Sequence, residues 1–375
     1  MTPDLPETLL QFGCGRFLRA FADLFVHQAN ADGQAVGRVV AVQSTPGERA
    51  AQLNRQGGRY HVAVRGLQGG RVVDEVQPVA SLSRALVAAD QWEVVRRVAC
   101  SPDLRWILSN TTEVGLALDP EDAARPGGAP RSFPARLLDL LAARFAAGQP
   151  GVPVLACELV DHNGPRLRGL VLEQARAWGL PADLQRWIEG ECLFPETLVD
   201  RVVSGRPDGH PLLAEDPLLI AAEPFAFWAV QSLPGVRLFD HPCLHVVADV
   251  APYALRKVRI LNGAHTALIA RGLAERFQTV RQAVGDGEVR AWLRRLLDDE
   301  ILPAVGDRVE GAAEFADAVL ERFANPYLEH RLADIAVHQE AKVRARLLPT
   351  WREFRERLGA PPPMLTALLD PYLEE

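Results

Sequence analysis

Short apolar runs alternate with amphipathic stretches through the first part of the chain. That alternation predicts βα units built on a mostly parallel sheet. The runs at residues 9–12, 39–43, 106–109, 152–157 and 244–250 read as strands. The stretches 16–30, 91–99, 135–147 and 165–178 carry apolar residues at three- and four-residue intervals, the spacing that gathers them on one helix face. Together they predict a doubly wound α/β domain. After Pro252 the pattern changes: from Leu255 to Pro349 nearly every segment has helical period, with turn signals at Gly306, Asn325-Pro326 and Pro349. A second, all-helical domain is expected, with the division placed at 1–251 and 252–375. The stretch DPEDAARPGGAPRSFP at 119–134 reads as an exposed connection inside the first domain.

Composition narrows the classes. A chain of 375 residues that is 48% hydrophobic can bury a large core, and its length favours two domains. A formal net charge of −7 provides no general attraction to phosphate backbones or anionic lipid, so nucleic acid and membrane are not expected partners. The five cysteines form no CxxC pair and fit a reducing compartment. The start MTPDLPETLL lacks a basic segment ahead of its apolar run, and no stretch of 18 apolar residues occurs. A cytoplasmic location is expected.

Candidate chemistry begins at the first strand, which runs into Gly13-Cys14-Gly15 and then a helical pattern. Glycines there let backbone N–H groups approach a pyrophosphate at a helix start. The fingerprint is incomplete, because Leu18 stands where a third glycine is usual. An ordinary strand-to-helix turn has the same residues. The second strand ends Val42-Gln43-Ser44-Thr45 without the expected acid, leaving Gln43 as the candidate ribose partner, while Asp32 precedes that strand and reads as a turn residue. The strand at 106–109 is followed by Asn110-Thr111-Thr112-Glu113, small polar residues at a carboxyl end, where open α/β sheets bind ligands or simply cap a turn.

The segment KVRILNGAHTAL carries Lys257, Asn262 and His265 in a helical pattern. On a regular α-helix they fall at roughly 0°, 140° and 80°, so all three can face one cleft. Hydride transfer between a secondary alcohol and a nicotinamide needs a base for the hydroxyl proton and donors for the developing oxyanion. A lysine of lowered pKa, a neutral amide and an imidazole meet those needs, although a lone lysine also suits a solvated face and a lone histidine a core. A further polar cluster runs from Cys157 to Gly164, where Asn163 is either a second oxyanion donor or a helix cap. His241, Cys243 and His245 alternate as metal ligands do, but no fourth ligand is evident and no metal is expected.

Taken together, LLQFGCGRFLRAF, WILSNTTEVG, VLACELVDHNG, TLVDRVVSG, APYALRKVRILNGAHTAL, RFANPYLEHRL and KVRARLLP closely resemble the polyol-specific long-chain dehydrogenases, the mannitol dehydrogenase family. Within it the resemblance is strongest to the tagaturonate reductases (altronate oxidoreductases). It implies a Rossmann-like N-terminal domain, a helical C-terminal domain and metal-independent hydride transfer with NAD, NADP remaining open. By motif, Lys257 is implied as acid/base, Asn262 and Asn163 as the carbonyl-polarising pair, and His265 as a substrate-orienting residue. Asp200 is implied in the active-site hydrogen-bond network, though an isolated aspartate also suits a cap or an ion pair with Arg201. Gly13, Gly15, Phe17, Asn110 and Thr111 match positions that contact the dinucleotide.

Reduction of a keto-hexuronate calls for a cation near the lysine, and Lys342 and Arg346, one helical turn apart, are the candidates. The chain departs from the pattern at His338, where uronate reductases carry asparagine, and at Ala254, a position often charged. Relatives are also expected to continue through further helices beyond Pro349, which alters the outer wall of the substrate cleft. The leading expectation is NAD-dependent, reversible reduction of a tagaturonate-like keto-hexuronate to an altronate-like aldonate. Oxidation of a neutral polyol such as mannitol, and a catalytically silent nucleotide-binding protein, are the alternatives.

Overall fold

The computed structural model describes residues 5–111, 115–275 and 277–373. The chain divides into two compact units, one comprising 1–63, 76–222 and 226–250, the other 64–75, 223–225 and 251–375. Twelve strands are present among the described residues: β1 Glu7–Phe12, β2 Arg38–Gln43, β3 Tyr60–Gln68, β4 Arg71–Val79, β5 Leu82–Val87, β6 Trp106–Ser109, β7 Val154–Ala156, β8 Thr197–Asp200, β9 Val203–Gly205, β10 Ile220–Ala222, β11 Phe227–Gln231 and β12 Leu244–Val247.

Five of these form the parallel sheet of the first unit, in the order β5-β2-β1-β6-β7. Leu9, Leu10 and Phe12 of β1 and Val39 to Val42 of β2 are all buried, the continuous apolar run of strands covered on both faces. The order in which successive strands are added reverses between β1 and β6, all strands staying parallel, and the carboxyl ends at such a switch open a crevice for a ligand. On one face helices Ala88–Ala99, Phe133–Ala146, Asn163–Ala177 and Ala182–Gly190 bury Trp92, Leu137, Leu141, Leu167 and Trp187 against the sheet. The connection at 119–134 is organised from within by Asp122, 1% exposed, whose carboxylate accepts from the Arg131 and Ser132 amides.

Two expectations for this unit are corrected. The predicted strand 244–250 stops at Val247 and pairs with β11 in a separate three-stranded sheet, β12-β11-β8, instead of extending the parallel one. The predicted helix 16–30 is two helices, Arg16–Arg19 and Ala22–Ala31, with a break at Phe21 (φ −133°, ψ −96°). The break turns Phe21 and Phe25 onto Trp228, at ring-centroid distances of 5.3 and 6.5 Å. Arg201 donates to the freed Ala20 carbonyl at 2.7 Å, satisfying the group the break exposes.

Beneath that break lies Asp23, fully buried, with the Tyr60 hydroxyl donating to Oδ2 at 3.2 Å and Gln11 Nε2 at 3.5 Å. Burial pushes its carboxyl from 3.8 up to about 7. Between those values the folded chain binds more protons than the unfolded one, so stability falls as pH rises through the window and stays low above it. Asp23→Asn is therefore expected to be more stable than the parent at pH 8 by roughly 4 kcal/mol, the gap closing toward pH 4. Urea unfolding across that range measures it, and a gap that does not change with pH refutes it.

The second unit is helical. Its core gathers Ile260, Ala264 and Leu268 from the 257–274 segment with Leu293, Leu297, Phe315, Val319, Phe323 and Leu347. To these helices is added the tip of the β3–β4 hairpin, turned by Gly69 and Gly70 at φ +59° and +73°. Their amides donate to the Glu321 carboxylate. Among the described residues no helix is long and apolar enough to cross a membrane.

Candidate active site

In the first unit the polar residues collect at the carboxyl ends of β1, β6 and β7. Gly13 follows β1 with φ +127°, a conformation that favours glycine, and a Cβ there would stand 3.3 Å from the Asn110 carbonyl oxygen. Gly15 is exposed, and nothing lies within 4 Å of where its Cβ would be, so the backbone is open to approach. The helix it opens, Arg16–Arg19, is a single turn with little dipole of its own. Anion affinity here would rest on the backbone N–H groups that open this helix. Phe17 is half-buried and stacks on Phe21 at 4.9 Å.

Gln43 does not have the expected freedom. Its Nε2 donates to the Thr45 and Gly47 carbonyls and its Oε1 accepts from the Ala50 amide, so it shapes the loop after β2 instead of presenting its amide to a ribose. Asn110 donates to the Cys157 carbonyl at 2.7 Å, and Thr111 donates through both N–H and hydroxyl to Glu158. Thr112 and Glu113 lie outside the described residues. Asn163 is 2% exposed, with Nδ2 at 2.9 Å from the Ala156 carbonyl and 3.0 Å from that of Thr197, and Oδ1 accepting from the Gly164 and Thr197 amides. Asn163 is the first residue of the helix, whose N-cap is His162, so it does not take the expected capping role; its bonds tie the helix start to β7 and β8, and donation to a substrate would require it to exchange one of them. Asp200 ends β8, 4% exposed.

The metal alternative loses its ligands to other partners. The ring of His241 stacks on Phe25 at 4.2 Å with Nε2 against Gln28, and that of His245 stacks on Phe227 at 4.7 Å. Among the described residues no group of three or more His, Cys, Asp or Glu is placed to hold a metal ion.

In the second unit Lys257–Asn262 is a π-helix between α-helices Ala251–Arg256 and Gly263–Ala274. The wider winding corrects the regular-helix geometry read from the sequence. Hydrogen bonds now run from i to i+5, so residues five apart follow each other on one face as residues four apart do in an α-helix. Lys257 and Asn262 have that spacing. The segment is fixed from behind by Arg259, 9% exposed, which donates to Glu353 at 2.8 Å, while Thr266 Oγ1 donates to the Asn262 carbonyl at 2.8 Å.

His265, 9% exposed, packs its ring on Phe323 at 4.1 Å and edge-on to His330 at 5.2 Å. Burial pushes its pKa well below the usual imidazole range, and the fields of His330, Arg322, Arg346 and Lys342 add to the effect. It is neutral at pH 7, one ring nitrogen a donor and the other an acceptor. Lys342 and Arg346 lie on the helix Gln339–Arg346, where Arg346 Nη1 reaches Thr266 Oγ1 at 3.4 Å and Lys342 Nζ donates to the Ile335 carbonyl at 2.6 Å. His338, which opens this helix, has φ +58°, a region asparagine enters more readily than most residues.

Two family models cover these segments: the mannitol dehydrogenase Rossmann domain matches residues 7–237 and the mannitol dehydrogenase C-terminal domain residues 249–369. The chain belongs to the mannitol dehydrogenase family. It is 38% identical to the altronate oxidoreductase of Bacillus subtilis over 96% of this chain and 78% of the relative. To that of Cronobacter sakazakii it is 37% identical over 97% of this chain and 78% of the relative. Among solved structures, the Pseudomonas fluorescens mannitol 2-dehydrogenase ternary complex with NAD and D-mannitol superposes with a TM-score of 0.82 at 23% identity, covering 98% of this chain and 79% of that one. The expected oxidoreductase with a Rossmann-like domain followed by a helical domain is thus met.

Three residues of this mannitol dehydrogenase family member were not singled out from sequence. Arg322 and His330 lie in RFANPYLEHRL, a segment that carried resemblance but no assigned role, and both contribute to the field around His265. Glu158 was read only as part of a polar run, whereas its carboxylate holds Ser109 and Thr111.

Proposed function

We propose that this chain interconverts a keto-hexuronate of the tagaturonate type and the corresponding aldonate, altronate, with NAD(H) as hydride partner. The observation that carries the substrate class is the field around His265: a neutral imidazole beside Arg346 and Lys342 of one helix, the third nearby cation, Arg322, being held in an ion pair by Glu223. Such a field attracts a carboxylate and has no use for a neutral polyol. The altronate oxidoreductases at 37–38% identity support the same class.

The glycine turn fits a dinucleotide, since Gly13 takes the φ of +127° that lets the chain turn tightly after β1 and Gly15 leaves its backbone open. Gly13, Gly15, Phe17, Asn110 and Thr111 would hold it. When bound, its nicotinamide supplies or accepts the hydride. Lys257 moves the proton of the substrate oxygen, acting as acid toward the ketone as it is reduced and as base toward the alcohol as it is oxidised. Asn262, one π-turn away, donates to the oxygen as negative charge develops. His265 fixes a neighbouring hydroxyl through its neutral ring, and Lys342 and Arg346 hold the carboxylate. Asn163 and Asp200 stay in the scheme as residues that set the ends of β7 and β8.

Steady-state kinetics with altronate, tagaturonate, mannitol and fructose, each with both nicotinamide cofactors, test this reading. Lys342→Ala and Arg346→Ala are each expected to raise KM for altronate by about tenfold or more, with any mannitol turnover changed less than about threefold. Unaltered sugar-acid kinetics would sink the clamp. Turnover of mannitol alone would favour polyol oxidation, and NADH binding without turnover of any substrate would favour the silent alternative.

A further inference from the structure

Glu158 follows β7, is 2% exposed, and has a defined donor on each oxygen. Ser109 Oγ donates to Oε2 at 3.0 Å, and the N–H and hydroxyl of Thr111 donate to Oε1 at 2.9 and 3.0 Å. Those donors are two hydroxyls and one backbone amide, none of them a cation. A buried carboxylate is normally matched by an opposite charge, and one that is not sets a negative potential over its surroundings. Its location gives that potential a target. Ser109 is the last residue of β6, and Thr111 lies just beyond it, so the carboxylate underlies the crevice edge at β6 and β7.

In a doubly wound sheet the pyrophosphate sits over the first strand's glycine turn and the adenosine half lies toward the second strand. Here those are the turn at Gly13 and the end of β2. The nicotinamide half is left with the β6–β7 side. We infer that Glu158 is an electrostatic determinant of cofactor redox state, its buried charge favouring the positively charged oxidised nicotinamide over the neutral reduced one. Burial also raises the carboxyl's pKa, with the Thr111 and Ser109 bonds opposing that rise.

This rests on the NAD(H) reading above. The test is the dissociation constant of each cofactor form, by quenching of protein fluorescence for NAD+ and by NADH fluorescence, in the full chain and in Glu158→Gln. The substitution keeps size and removes charge. Expected is a loss of NAD+ affinity of about tenfold with NADH affinity held within about twofold. Equal weakening of both forms, or no change in either, overturns the inference and leaves Glu158 as a support for the β6 turn. If Glu158→Gln does not fold, Glu158→Asp serves: retention of the parental ratio within about threefold supports the charge, and a shift of about tenfold overturns it. Failure of the parent chain to bind either form would instead defeat the cofactor reading.

Discussion

Lys257→Ala should lower kcat for the sugar acid by about 10²–10⁴-fold, the range that a positioned proton-transfer group contributes. NADH affinity should hold, because the role proposed for Lys257 is on the substrate's proton, while Gly13, Gly15, Phe17, Asn110 and Thr111 are the candidate dinucleotide residues. The π-helix gives the prediction its geometric content: Lys257 and Asn262 have the i, i+5 spacing that this winding places on one face. Stopped-flow single turnovers separate the proton-transfer step from binding. A variant with kcat within about threefold of the parent would remove Lys257 from the mechanism, and the pH dependence of kcat should lose the lysine's ionisation in the variant.

Glu223→Ala is expected to be the most destabilising single change proposed for the helical unit, by about 3–5 kcal/mol. Arg322 and Glu223 are 6% and 2% exposed and joined by two bonds, at 2.9 and 2.7 Å, with the guanidinium 4.2 Å from the centre of the Phe225 ring. Removing the carboxylate leaves a buried cation whose desolvation is no longer offset. Urea unfolding followed by circular dichroism reads the loss, and a change below about 1 kcal/mol would show that other groups already balance Arg322. Since Arg322 contributes to the field at His265, the same variant also alters the charge environment of that ring.

The parts of the fold legible in sequence were those set by local periodicity. β6 spans the predicted residues 106–109, β1 and β2 lie within three residues of their expected starts, and Phe133–Ala146 and Asn163–Ala177 fall close to the predicted helices. The hairpin of β3 and β4 was passed over although Gly69-Gly70 between runs rich in valine is a hairpin signal. β5 was passed over because its polar residues Ser83 and Arg84 interrupt the apolar run that marks the other parallel strands.

The site was legible as residue types and less so as geometry. Lys257, Asn262 and His265 could be chosen from their spacing, but a π-helix has no local sequence mark, and it changes which of them are neighbours. Gln43 had the right chemistry at the right strand end. Its amide was claimed by the loop that follows, an outcome depending on where Thr45, Gly47 and Ala50 settle. The helix expected at 16–30 breaks because Phe21 and Phe25 must meet Trp228, some two hundred residues along the chain.

By itself, then, the sequence determined the class of each domain, the glycine turn and the segment that carries Lys257, Asn262 and His265, because periodicity, glycine conformation and side-chain chemistry are local properties. Only the tertiary structure decided the rest. It set Arg322 and His330 around a neutral His265, turned Asn163 inward, and buried Glu158 under the β6 edge against hydroxyl and amide donors. Burial and electric field are sums over neighbours distant in sequence, and no local pattern contains them.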